Sequence, residues 1–167
     1  MNLLHVIPAP LHRVLYRVAH RLRRGYLRRS GRIIHGCSMI GRDRQGRILL
    51  VRHSYGPPVW AFPGGGMQRH ETPVVAALRE FREELGCELG DARRLTTFKE
   101  NYLGAVNVSH VFTGLVEGVP RPDGREIVEA RFFDRGELPA ELSRTVYPRI
   151  AALDAAGARA PRMLQQQ

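Results

Sequence analysis

Glu80, Glu83 and Glu84 stand three and four residues apart in the run PVVAALREFREEL (73–85), shortly after three consecutive glycines, Gly64, Gly65 and Gly66. On a helix this spacing gathers carboxylates on one side, where like charges repel by roughly 0.2–0.5 kcal/mol a pair. Stability gives no reason for such grouping, whereas a bound cation does. Hard divalent cations take carboxylates, carbonyls and water as ligands. Glycines permit positive φ and let backbone groups approach a ligand closely. The chemistry that suits the arrangement is metal-assisted displacement at phosphorus, in which cations neutralise phosphate oxygens and activate water. The competing reading is a solvated acidic face, with Arg79 softening the repulsion from four residues before Glu83.

These residues need a helix to present them. Thr72 and Pro73 open one well, as an N-cap hydroxyl followed by a residue with no N–H to lose. Gly86 closes it as a left-handed cap. At about 100° per residue, Val74, Leu78, Phe81 and Leu85 fall within about 60° of one another and form the expected buried stripe, with the glutamates on another side. Before the glycines, IIHGCSMIG and RILLVRH flank Arg42-Asp43-Arg44-Gln45-Gly46, which reads as a hairpin of buried strands. After the helix, LTTFKENY, VNVSHVFTGLVEG and IVEARFFD read as strands, and Tyr147 to Ala156 as a final helix. Near the start, Leu11, Val14, Leu15, Val18, Ala19, Leu22 and Tyr26 recur at helical spacing, with arginines between them.

The chain has 167 residues, 43% hydrophobic and 25% charged, which suits one soluble domain. No apolar run approaches the roughly 20 residues of a membrane span, and the start lacks the form of a secretory signal. Cys37 and Cys87, the only cysteines, imply neither a disulfide framework nor a zinc site. A reducing cytoplasm is the expected compartment. The net charge of +10 is uneven: residues 1–42 hold nine arginines and no acid. Of the basic residues only Lys99 is lysine; phosphate chemistry and a GC-rich genome both produce such a bias.

The pattern G-x5-E-x7-R-E-U-x-E-E-x-G-U, with U apolar, is met by Gly65, Glu71, Arg79, Glu80, Phe81, Glu83, Glu84, Gly86 and Cys87. The chain thereby resembles the Nudix (MutT-like) hydrolases. The likeness extends over about residues 33 to 155, through LLVRH, W-x-x-P-G-G and EIVEARFFD. It implies an α/β fold, a Nudix-type α/β/α sandwich with a mixed β-sheet, as a domain over 33–157. An N-terminal basic amphipathic helix (1–32) precedes it and a flexible tail (158–167) follows.

The implied activity is hydrolysis of a pyrophosphate bond in a nucleoside diphosphate linked to another moiety, with Mg²⁺ as cofactor and Mn²⁺ as substitute. By position, Glu83 and Glu84 become the main metal ligands, joined by Glu80 and the Gly64 carbonyl. Glu126 completes the site, with Glu129 as fallback. Arg79 orients a carboxylate, Glu71 ties loop to helix, and Gly65 and Gly86 shape the motif. Glu80 and Glu126 both remain candidates for the general base. Tyr55, Trp60, Phe62 and Tyr102 are the aromatics expected near the cleft, and Arg52, His53 and Lys99 the phosphate contacts; Arg52, Trp60 and Tyr102 are the foremost substrate candidates. Two alternatives belong to other classes: a non-catalytic nucleotide-binding module, which would be expected to lose box carboxylates, and a pyrophosphohydrolase working at RNA 5′ ends or at a membrane. For residues 11–32 an anionic membrane surface, RNA phosphates and packing on the domain or a homodimer partner all stay open.

Overall fold

The computed structural model describes residues 33–102 and 105–159. The expected basic helix and most of the tail lie outside the described residues.

β1 (Ile33–Arg42) and β2 (Ile48–His53) form the expected antiparallel hairpin. Asp43 builds its turn: one carboxylate oxygen accepts the backbone N–H groups of Gln45 and Arg47 at 3.0 and 2.9 Å, and Gly46 takes a φ of 83°. β5 (Ala105–Glu117) runs parallel to β1, from Ile33 against Val106 to Arg42 against Leu115. β4 (Glu88–Tyr102) pairs antiparallel with β5. β2 pairs antiparallel with β3 (Trp60–Ala61) and with β6 (Ile127–Phe133), completing a six-stranded mixed sheet.

Side-chain alternation explains why the hairpin strands are apolar without a break. Leu49 and Val51, with Cys37 and Met39, pack beneath α1 (Pro73–Leu85). Ile48 and Leu50, with Ile40 and Val111, pack on the opposite face with α2 (Val146–Arg159). A strand covered on both faces reads as a continuous hydrophobic run, and Ile48 to Val51 are all fully buried. The observed architecture is therefore the expected mixed sheet between helices.

α1 begins at Pro73 and ends at Gly86, whose φ is 62° and whose N–H bonds the Arg82 carbonyl at 2.9 Å. Thr72 differs from expectation: its side chain makes no cap bond, and only its carbonyl accepts, from Ala76 at 3.0 Å. The buried face also differs. Phe81 and Leu85 are fully buried, worth on the order of 1.5–3 kcal/mol each, but Val74 is 38% exposed while Glu84 is 3% exposed. A helical wheel gives directions around the axis; it does not say where the sheet ends or which loop folds across the last turn. β4 starts at Glu88, seven residues before the expected strand. Glu88 to Arg94 lack strand-forming side chains and become strand by pairing with β5 through bulges at Gly90/Arg93 and Arg94/Thr96.

Candidate active site

Three segments converge at the C-terminal half of α1. The glycine loop lies along β1, with Cys37 and Met39 donating backbone N–H groups to the carbonyls of Gly65 and Pro63, each at 2.9 Å. None of Gly64, Gly65 and Gly66 adopts positive φ; their role is close approach. A Cβ on Gly64 would lie 2.3 Å from the Cys37 carbonyl oxygen, and one on Gly65 would lie 2.3 Å from the Glu80 carboxyl carbon. The second segment carries Glu126. Arg121 and Asp123 donate backbone N–H groups to the carbonyls of Leu85 and Glu84 at 2.7 and 3.1 Å. They thereby use acceptors that every helix end leaves free. The Asp123 carboxylate then accepts the N–H groups of Arg125, Glu126 and Ile127, which fixes the turn. The third segment is the end of β2, where Ser54 donates its N–H to the Glu126 carbonyl at 2.8 Å.

The result is a buried carboxylate with an open valence. Glu84 Oε2 accepts the Gly64 N–H at 3.3 Å, while the buried Oε1 has no hydrogen-bond partner among the described residues. Burial, followed by the nearby Glu126 and Glu80 charges, pushes the Glu84 carboxyl well above the usual range. Burial also raises Glu80, against the opposing pull of Arg79. Glu126 accepts a hydrogen bond from the Tyr55 hydroxyl. Ligand atoms of His53, Glu84 and Glu126 all lie within 4.8 Å of one another. Metal bonds of about 2.0–2.3 Å place the atoms around one ion at most about 4.6 Å apart, so small side-chain movements would close this donor set on a small dication.

Arg79 organises the rest. It holds Glu71 through Nε and Nη2 at 2.8 and 3.0 Å, Glu80 and Glu83 through Nη1 at 2.9 and 3.1 Å, and the Gly66 carbonyl at 3.2 Å. That hydrogen bonding keeps the Glu71 carboxyl down at about 2. Glu71 also accepts the Gln68 N–H at 2.9 Å, joining loop to helix.

A cavity of about 540 Å³ opens from Glu80, Glu126 and the glycine loop towards Glu100, Ser109 and Arg149. At this far end the Arg149 guanidinium, 4% exposed, meets both Glu100 oxygens at 2.8 and 2.9 Å, Ser38 at 3.2 Å, Ser109 at 3.0 Å and the Thr145 carbonyl at 2.9 Å. Arg144 stands beside it, bonded to the Asn101 carbonyl at 2.9 Å.

Of the candidates read from sequence, Glu80, Glu84, Glu126 and the Gly64 loop come together. Glu83 stands outward, 61% exposed, on Arg79. The contact Gly64 makes with Glu84 is through its N–H. Glu129 bonds Arg52 at 2.9 Å and is not part of the His53–Glu84–Glu126 group. Trp60 is 7% exposed and packs edge-on against Phe133 at 4.9 Å, with the Arg52 and Arg131 guanidiniums over its ring. Trp60, Arg52 and Lys99 do not line the cavity, whereas Tyr55 and Phe62 do. The Tyr102 backbone pairs with Ala105. Sequence reasoning missed Asp123, Glu100, Ser109 and Arg149, and it took His53 for a phosphate contact. Asp123 before Gly124 was a legible turn signal; the other three carry no local signal.

A mixed sheet between helices, with carboxylates and a glycine loop gathered at the end of one helix, defines an α/β sandwich that carries a candidate cation site. The NUDIX domain model matches residues 36–153, and the chain belongs to that family. It is 31% identical to isopentenyl-diphosphate Delta-isomerase of Streptomyces griseus subsp. griseus, over 68% of this chain and 64% of that protein's length. It is 40% identical to human diphosphoinositol polyphosphate phosphohydrolase 3-alpha, over 39% of this chain and 40% of the relative. The chain thus spans less than two thirds of either curated relative. A crystal structure of a MutT NUDIX hydrolase from Burkholderia pseudomallei superimposes with a TM-score of 0.67 and 27% identity, covering 72% of this chain and 98% of that one.

Proposed function

We propose that the protein hydrolyses a pyrophosphate bond in a diphosphate-containing, nucleotide-like substrate, using Mg²⁺ or Mn²⁺. The observation that carries this reading is the buried Glu84 Oε1, without a hydrogen-bond partner among the described residues, in a carboxylate grouped with Glu126, which with Glu80 lines the cavity. A buried carboxylate oxygen left unmatched is costly unless something binds it. A dication held there supplies charge neutralisation of the diphosphate and acidification of a water. Glu84 and Glu126 hold the ion, and Tyr55 fixes the Glu126 carboxylate. Glu80, raised by burial and lining the cavity, takes the proton of the attacking water. Arg79 keeps Glu80 in place. Glu100, Asn101, Asn107, Ser109 and Arg149 line the far end, which suits a group read by hydrogen bonds, such as a base edge or a sugar.

The curated relatives differ in reaction, one named an isomerase and the other a phosphohydrolase, but both names specify a diphosphate or diphospho group. The complete set of box carboxylates supports hydrolysis. The test is a screen of nucleoside triphosphates, dinucleotide polyphosphates and nucleotide sugars in ¹⁸O-labelled water with and without dication. The expected result is dication-dependent cleavage with label in one phosphoryl product. Metal-independent turnover, or undiminished turnover by Glu84→Gln, would sink the reading.

A further inference from the structure

We infer that His53 is an imidazole ligand of the dication site, which makes the site prefer Mn²⁺ over Mg²⁺; this rests on the metal-binding reading above. His53 is the last residue of β2 and shares strand parity with Leu49 and Val51, the residues packed beneath α1. Parity therefore directs its ring to the face where Glu84 lies. The pairing with β6 is irregular at this point: Arg52 faces Glu129 and His53 faces Ile127, so Val128 is skipped. The extra residue sits on β6, so β2 keeps its alternation through His53. The Tyr55 ring flanks the imidazole at 5.2 Å between centroids, tilted by 54°. The same Tyr55 donates its hydroxyl to Glu126. One short loop thus orients both the imidazole and the carboxylate.

A ring nitrogen of His53 then lies within 4.8 Å of a carboxylate oxygen of Glu84 and one of Glu126, and the 3%-exposed Glu84 keeps one oxygen with no hydrogen-bond partner among the described residues. Mg²⁺ is bound through oxygen ligands and retains water. Imidazole suits Fe²⁺, Ni²⁺ and Zn²⁺ best, and Mn²⁺, although it shares the oxygen preference of Mg²⁺, is the softer of the two and accepts one nitrogen donor at less cost.

The test uses Mn²⁺ alone, without substrate, on the full chain. Titration calorimetry compares wild type with His53→Gln, His53→Ala and Glu84→Gln, and pulsed electron paramagnetic resonance reads nitrogen coupling on the bound ion. Wild type is expected to show ¹⁴N coupling. Both His53 variants should lose it and bind Mn²⁺ about 10–100-fold more weakly, with a much smaller change for Mg²⁺. Absence of ¹⁴N coupling in wild type overturns the inference without needing any variant to fold. Equal Mn²⁺ affinity of wild type and the folded His53 variants overturns it too. If Glu84→Gln alone loses binding, the carboxylate site stands and His53 drops out; if Glu84→Gln binds as wild type does, both readings fall.

Discussion

The two ends of the cavity are built from similar side chains to opposite effect. At one end Glu84 and Glu126 lie close together, and the Arg79 guanidinium is bonded to Glu71, Glu80 and Glu83. At the other end Arg149 and Glu100 satisfy one another, with Ser38, Ser109 and the Thr145 carbonyl taking the remaining donors. The first end is under-matched and gains from an added cation. At the second the Arg149–Glu100 pair is neutral and Arg144 stands beside it, so this end can read a ligand's shape and hydrogen bonds without needing a cation. Function here sits where polar matching is incomplete, and stability where it is complete.

That contrast can be broken experimentally. The largest effect is expected at the acidic end: Glu84→Gln should lower dication-dependent turnover by about 100-fold or more, since even outer partners of metal ligands cost about 10–100-fold. It should also raise the melting temperature of the metal-free protein, because a neutral amide relieves the cost of the buried carboxylate. A thermal melt that shows lower stability would place Glu84 in the fold's support instead. At the opposite end, Arg149→Ala should cost about 3 kcal/mol of unfolding free energy, the scale for stranding one member of a buried pair. Denaturant titration checks this, and a loss below about 1 kcal/mol would mean that water replaces the guanidinium freely.

Gly65→Ala sharpens the comparison. Its Cβ would collide with the Glu80 carboxylate, so turnover should fall about 10–100-fold, as misplacement by about 1 Å can cost, while the melting temperature changes little. The smallest effect concerns acid. Glu71 is held at about 2, below its ordinary 4.5, so between those values the unfolded chain binds more protons than the folded one. Its stabilising contribution is complete above about 4.5 and is lost as pH falls towards 2. Glu71→Gln should flatten the acid limb of the stability profile by roughly 1–2 kcal/mol after solvent screening. An unchanged limb would show that the Arg79 pairing adds nothing.

Legibility followed the same division. The helix, its glycine cap, the hairpin and the box were readable because each lies in one short run with its own turn or period. The far end was not: Ser38, Glu100, Ser109 and Arg149 come from β1, β4, β5 and α2, with Arg149 and Ser38 separated by 111 positions. Trp60 looked like a ligand-stacking ring because aromatic type says nothing of depth, and the β6 residue Phe133 claimed its edge. Glu84 was legible as a metal ligand but its burial was not, because the segment bonded across the end of α1, 121–126, begins 37 positions later in the chain.

The parallel pairing of Ile33–Arg42 with Val106–Leu115 has a bearing on biogenesis. Contacts between such distant stretches form late, since the intervening loop must close first. During translation the hairpin and the acid-bearing helix emerge well before their partner strand does. The nascent chain therefore carries uncovered apolar faces until residue 115 has left the ribosome, and the Ile48 and Leu50 face until α2 follows; a chaperone that shields residues 48–51 and 76–85 would meet this protein at that stage.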